Sequence, residues 1–326
     1  LVTIKKLTYK TMKRNLIITG VVAIAAFVIV TTLNNGQDVP AAVTETQTEE
    51  KIVALSTFTI IADMVANVGG DKIESVSLTK PGAEIHGYQP TPSDLVRASE
   101  ADLIFENGMN LELWTEKLRA AIPDVPAYTV SENVEVIDIS SDAYAGKPNP
   151  HAWMSPKQGL VYVENIRKAL TEVAPQHADY FAERAAAYSE EIRAVDVSLS
   201  TTLGPLPANN RVLVTCEGAF SYLAADYNLE EVYLWAINAE SLGSPQQVAS
   251  VIEEVNARNI PTVFCESTVE PRIQREVVDA TDAEFGGILF VDSLSDEDGP
   301  ASTYLSLLQH TADTINAGLT RTVQSE

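Results

Sequence analysis

Residues 176–203 carry one long helical pattern, and it divides the rest of the chain into two similar series. Tyr180, Phe181, Ala185 and Tyr188 recur at helical spacing; Pro175 precedes the run, and Gly204, Pro205, Pro207, Asn209 and Asn210 end it. A helix of about 27 residues is about 40 Å long at roughly 1.5 Å per residue, enough to cross a domain and join two lobes. On either side, strand-like and helix-like runs alternate. Ahead of the long helix the pattern predicts strands at 51–56, 73–78, 103–105, near Tyr128 and at 136–139, with helices at 60–68, 92–98, 111–121 and 156–173. Behind it the pattern predicts strands at 211–215, 231–234, 262–264 and 288–291, with helices at 220–227, 245–259, 271–280 and 302–319. Parallel strands need a helix-length crossover, so this alternation implies parallel sheets. The expected fold is α/β: two lobes, each a parallel-sheet βα sandwich, joined by a long rigid helix, with a cleft between them. The corresponding division is an N-terminal lobe at 51–175, a linking helix at 176–208 and a C-terminal lobe at 209–326.

The first 50 residues have a different character. Lys5, Lys6, Lys10, Lys13 and Arg14 all precede the first acidic residue, Asp38, and residues 16–30 are uncharged, the layout of a secretory signal or a short anchor behind a candidate start at Met12. Residues 1–35 therefore read as a signal peptide or N-terminal anchor, and 36–50, rich in Thr, Gln, Glu and Ala, as a flexible tether. The two cysteines of the chain are Cys216 and Cys265, so none follows the apolar run as a lipid anchor requires. The expectation is an exported protein, periplasmic or on the outer face of the cytoplasmic membrane. It is soluble or held by an uncleaved N-terminal segment, its one membrane contact, and not a lipoprotein. Asp and Glu number 45 against 22 Lys and Arg, a net charge of -23 that repels phosphate backbones and argues against a nucleic-acid partner.

Four groups with metal-ligand chemistry stand at or just beyond strand ends. His86 lies in the loop after the second strand, His151 in Asn149-Pro150-His151-Ala152-Trp153, Glu217 after Val212-Leu213-Val214-Thr215-Cys216, and Asp292 after Ile288-Leu289-Phe290-Val291. Singly, a loop histidine is more often a surface residue, and an acid after a strand more often a helix cap or turn former. Together they matter, because ligands of open α/β sheets bind beyond the carboxyl ends of strands and each lobe supplies two of the four. His177 and His310 fit helix surfaces and are set aside. Trp153 is expected mainly to pack, with shielding of the site from water as a second duty.

Five motifs carry a family resemblance: Gly82-x-x-x-His86-x-Tyr88-x-Pro90-Thr91-Pro92-x-Asp94, Asn107-Gly108-x-x-Leu111-Glu112-x-Trp114, Asn149-Pro150-His151-Ala152-Trp153, Glu217-Gly218-Ala219-Phe220-x-Tyr222 and Val291-Asp292-Ser293-Leu294. Together they resemble the metal-binding solute-binding proteins of ABC transporters, over nearly everything from Lys51 onward. The resemblance implies His86, His151, Glu217 and Asp292 as metal ligands, and two lobes on a rigid helix. It also implies a membrane permease with a cytoplasmic ATPase as partner. Gly87 and Gln89 depart from the pattern, since relatives usually carry acidic residues beside the tyrosine.

Two imidazoles and two carboxylates without thiolate suit Mn²⁺, Fe²⁺ or Zn²⁺. Carboxylates that each give two oxygens exceed the four-coordination that zinc prefers. A glutamate at 217 resembles the manganese branch; zinc carriers generally have histidine there and often a His-rich loop, for which 4 histidines in all leave no room. Mn²⁺ is the expected cargo, with Zn²⁺ or Fe²⁺ as alternatives. In an exported protein Cys216 and Cys265, at adjacent strand ends, read as a disulfide or else as a buried thiol pair. Some manganese-binding relatives have a disulfide here, so the resemblance implies the bridge. A metal-dependent hydrolase could use the same four groups, but no His-Glu-x-x-His motif is present and the ligands are spread over both lobes, so no enzyme activity is expected. A cell-adhesion role, described for some relatives, finds no further support in these residues.

Overall fold

The computed structural model describes residues 50–320 except 208–209 and 238–242. The leader expected at 1–35 and the tether that follows it lie outside the described residues. The described chain builds two four-stranded sheets, parallel throughout, with strand orders β2-β1-β3-β4 and β6-β5-β7-β8. The first holds β1 (Ile52–Ser56), β2 (Ile73–Ser77), β3 (Leu103–Glu106) and β4 (Ala127–Thr129). The second holds β5 (Val212–Glu217), β6 (Glu230–Trp235), β7 (Thr262–Glu266) and β8 (Glu284–Leu289). Strands β3, β5 and β7 are buried at every residue, as strands covered on both faces must be. Both sheets therefore have the expected α/β architecture.

The helices are α1 (Thr59–Gly69), α2 (Pro92–Glu100), α3 (Thr115–Ala121), α4 (Pro156–Val173), α5 (Ala178–Leu203), α6 (Ser221–Asp226), α7 (Pro245–Arg258), α8 (Arg272–Asp279) and α9 (Tyr304–Leu319). Proline sets three starts, with Thr91, Ser155 and Ser244 as caps whose hydroxyls accept a backbone N–H. Helix α5 runs 26 residues and buries one stripe: Phe181, Ala185, Tyr188, Ile192, Val195, Leu199 and Leu203. That stripe packs on α1 and α4 from the first half of the chain and on α9 from the second.

One continuous apolar core results, reaching from Ala54 and Phe58 through Trp153 and Phe220 to Tyr304 and Leu319. At full burial a large side chain such as Phe58, Phe220 or Leu319 contributes about 1.5–3 kcal/mol. Polar links cross the same seam. Trp153 Nε1 donates to the Val291 carbonyl at 3.0 Å, Tyr304 Oη to the Trp153 carbonyl at 2.6 Å, and Leu294 N to Thr59 Oγ1 at 2.9 Å. The half-buried Asp63 takes the Tyr304 N–H at 2.9 Å. A Cβ on Gly159 of α4 would lie 2.2 Å from Tyr304 Oη, so only glycine lets α9 approach there.

Three local expectations are corrected. Residues 136–139 form no sheet strand: they fold back on 146–149 through Ile139 N to Lys147 O, Asn149 N to Ile137 O and one antiparallel bridge from Asp138 to Pro148. The helix expected from Leu111 begins at Thr115, because Gly108, Met109 and Asn110 all take positive φ and turn the chain sharply first. The last strand ends at Leu289 rather than Val291; beyond it the Val291 carbonyl turns to Trp153.

Candidate metal centre

Each of the four groups reaches the site on a braced segment. The loop carrying His86 is held by Asp94, whose carboxylate accepts from Tyr88 Oη at 2.8 Å, Thr91 N at 2.7 Å and Arg97 at 2.6 Å. Burial works against that charge, but these hydrogen bonds outweigh it and the Asp94 pKa falls to about 2. Arg97 then reaches back to the Ser77 and Leu78 carbonyls at 3.0 and 2.8 Å, and Trp114 Nε1 donates to the Ile85 carbonyl at 3.0 Å. Glu84 takes the N–H groups of His86 and Gly87 at 2.7 and 2.8 Å, a support that Gly87 leaves room for.

His151 follows the folded-back loop. Asn107 Nδ2 donates to the Pro150 carbonyl at 3.1 Å, and Asn107 is itself fixed by Tyr162 Oη at 2.6 Å and by Glu112 at 2.7 Å. The Trp153 ring meets the imidazole edge-on with centroids 5.3 Å apart, so Trp153 both packs and closes one side of the site. Glu217 is the last residue of β5, and its N–H donates to Glu266 Oε2 at the end of β7 at 3.1 Å. The same two strand ends are joined by the expected disulfide, Cys216–Cys265, Cα atoms 4.9 Å apart. Asp292 accepts from Thr268 Oγ1 at 3.2 Å.

These segments bring the four side chains together. His86 Nε2 lies 3.1 Å from His151 Nε2, 3.4 Å from Glu217 Oε1 and 3.9 Å from Asp292 Oδ1. His151 Nε2 is 3.6 Å from each of the same two oxygens. One donor atom from each residue falls within 4.8 Å of all the others, and the side chains are between 0 and 4% exposed. Donors roughly 2.1 Å from a common centre sit about 3.4 Å apart in a tetrahedron, so the spacing matches a single divalent ion.

A family model described as the periplasmic component A of a zinc-uptake complex, ZnuA, matches residues 52–318. The chain belongs to this family. Its members are metal-binding, periplasmic substrate-binding proteins of ABC transporters, and the family is one of transport proteins rather than enzymes. The family member described here is 52% identical to the iron-binding protein YfeA of Yersinia pestis over 83% of this chain and 87% of that one. It is 33% identical to the manganese ABC transporter substrate-binding lipoprotein PsaA of Streptococcus pneumoniae, over 83% and 90%. The Mn-bound periplasmic metal binding protein of Candidatus Liberibacter asiaticus superposes with a TM-score of 0.76 at 37% identity, covering 82% of this chain and all of the other.

Electrostatics divides the two histidines of this family member. Burial alone would lower both, but the hydrogen bond and charge of Glu217, with Asp292 and Glu84, lift His86 to about 9. His151 lacks that balance: burial, with the neighbouring His86, takes it down to about 3 against the pull of Glu217. Asp292 rises to about 7 through burial and repulsion from Glu217, and the buried Glu266 rises well above the carboxylate range for the same two reasons. A proton on His86 Nε2 thus faces the Glu217 carboxylate. Glu84, Glu266 and Thr268 were missed from sequence; Glu84 and Glu266 stand within two residues of a candidate ligand or a cysteine, the one signal that marks them.

Proposed function

We propose that this chain captures Mn²⁺ outside the cytoplasmic membrane and delivers it to an ABC permease driven by a cytoplasmic ATPase. In this reading His86 Nε2, His151 Nε2 and the carboxylates of Glu217 and Asp292 hold the ion. The observation that carries it is the convergence of these four buried donors at 3.1 to 3.9 Å, two from each half of the chain. Protein ligands that surround the ion suit a carrier; a catalytic metal keeps an open position for water. Residues 51–175 and 209–326 serve as the two lobes, with 176–208 as the link between them.

Intrinsic affinity ranks zinc above manganese and iron, so preference must come from geometry. Two carboxylates able to give both oxygens build five- or six-coordination, which Mn²⁺ accepts more readily than Zn²⁺. Fe²⁺ is the second reading, supported by the 52% identity to a protein named for iron. Metal analysis of protein purified without chelator, followed by anaerobic competition titrations, decides between them. One Mn²⁺ per chain, displaced by Fe²⁺ only in excess, is expected; displacement by equimolar Fe²⁺ makes iron the cargo, and retention of Zn²⁺ alone overturns both.

The disulfide adds a prediction. Reduction should lower stability by about 2–5 kcal/mol and, by freeing the end of β5, weaken Mn²⁺ binding. Equal affinity of the reduced and oxidised protein in a calorimetric titration would show that Glu266 alone suffices to hold Glu217.

A further inference from the structure

A chain of hydrogen bonds leads away from His151 on the side opposite the other ligands. His151 Nδ1 lies 2.8 Å from Asn149 Oδ1, which also accepts the His151 N–H at 3.1 Å. Asn149 Nδ2 donates to the Gly218 carbonyl at 2.7 Å and to Ser221 Oγ at 3.0 Å. Ser221 Oγ donates to Glu231 Oε2 at 2.5 Å, and Phe220 N to Glu231 Oε1 at 2.6 Å. Asn149 and His151 precede the long helix; Gly218, Phe220, Ser221 and Glu231 follow it. The chain therefore starts in the second sheet, on β6, and ends on a histidine of the first half.

Donor and acceptor chemistry gives every link one direction. The Glu231 carboxyl oxygens accept from Ser221 Oγ and from the Phe220 N–H, so Ser221 spends its single proton on Glu231 and its oxygen is left to accept from Asn149. The Gly218 carbonyl also only accepts, so the amide nitrogen of Asn149 must face it and the amide oxygen must face His151. That oxygen needs a proton from Nδ1, which leaves the lone pair on Nε2.

We infer that Glu231, acting through Ser221 and Asn149, is a positioning residue that holds His151 in the Nδ1–H tautomer and ties that choice to the seating of the second lobe. The importance for transport rests on the reading that His151 Nε2 binds the cargo; the tautomer itself does not. Gly218 is the neighbour of Glu217, so the amide that orients one ligand also registers the segment carrying another. Outer partners of this kind typically change metal affinity by about 10 to 100-fold when removed.

Glu231→Gln keeps the shape and reverses one link. Its amide oxygen must face the Phe220 N–H, so its amide nitrogen meets Ser221, whose own proton is then directed at the Asn149 amide. Asn149→Asp makes a second separation: the carboxylate still accepts from His151 but can no longer donate to Gly218 or Ser221. Nitrogen-15 NMR of the imidazoles in metal-free wild type, with Mn²⁺ titrations of Glu231→Gln, Ser221→Ala, their double variant and Asn149→Asp, tests the chain. Wild type should show His151 protonated at Nδ1. Each single variant should bind Mn²⁺ about tenfold more weakly, and the double variant no more weakly than Ser221→Ala, because Glu231 acts through Ser221. Ser221→Ala with Asn149→Asp carries the same test should Glu231→Gln not fold. The inference is overturned by His151 protonated at Nε2 in metal-free wild type, by wild-type affinity in the single variants, or by additive losses in the double. A wild type that binds no metal yet shows the Nδ1–H tautomer would reject the carrier reading and leave the positioning chain standing.

Discussion

Replacing His151 by alanine is expected to abolish tight Mn²⁺ binding while both lobes stay folded. On the proposed reading the imidazole supplies the donor that lies within 3.6 Å of the other three, so its loss leaves a gap on one side of the ion. Loss of a partner one shell further out weakens metal binding by about 10 to 100-fold, and loss of a direct ligand should exceed that range. The fold should survive, because the shared core runs from Phe58 to Leu319 and His151 lies outside its apolar members. Truncating a buried ring nevertheless leaves a cavity against Trp153 and Asn149, a loss of about 2–4 kcal/mol. Calorimetry and thermal melts with and without Mn²⁺ measure both effects. Wild type at 100 times its dissociation constant should gain about 2.7 kcal/mol from the ion, and the variant nothing. A variant that kept one Mn²⁺ per chain would remove the centre of the proposed function.

Mn²⁺ affinity should rise with pH, by about tenfold per unit between pH 7 and 9, and level off above 9. The site keeps a proton on His86 up to about 9, and on the proposed reading the ion must displace it from Nε2. Asp292, raised to about 7, adds a second competing proton below that pH, so the dependence steepens there. Stability follows with opposite signs for the two groups. The pKa of His86 is raised above 6.5, so its contribution to the metal-free fold is complete below 6.5 and is lost as pH rises through 9. Asp292, raised above 3.8, opposes folding once pH climbs from 3.8 through 7, because the unfolded chain ionises first. Both therefore weaken the metal-free protein as pH increases, whereas the loaded protein has its charges matched. The difference in melting temperature between loaded and metal-free protein should widen from pH 6 to 9; a difference that stayed constant would show that no proton leaves these ligands on binding.

The fold was legible where local chemistry and long-range packing agree. Ser155-Pro156 at one end and Pro175 at the other bound α4 as expected, and the α5 stripe was visible in Phe181, Ala185 and Tyr188. Glu217 and Asp292 were legible because parallel sheets gather strand ends at one edge; His86 and His151 stand on long loops, well beyond β2 and β4, and were legible from the motifs around them. Residues 136–139 misled because Ile137 and Ile139 alternate like a strand, yet their partner is the nearby segment 146–149, a choice that alternation does not encode. The start of β8 was hidden by Gly286 and Gly287, poor strand formers by propensity. Space explains the first of them: a Cβ on Gly286 would lie 2.4 Å from Phe264 and Thr262. Glu84, Glu231 and Glu266 were illegible as supports, since an acid that accepts buried N–H groups looks in sequence like any solvated acid.

The core that continues behind the site bears on kinetics. Swinging the two halves apart would strip Phe58, Trp153 and Tyr304 from their neighbours, at about 1.5–3 kcal/mol for each ring exposed, and would break the Trp153–Val291 and Tyr304–Trp153 bonds. The segment bearing His151 carries Ala152, Trp153 and Met154 in that core, whereas the loop bearing His86 brings Ile85, so a smaller excursion of the His86 loop disturbs far less of it. On the proposed reading, dissociation should then be governed by the His86 loop, which leaves the timing of release to whatever grips that loop.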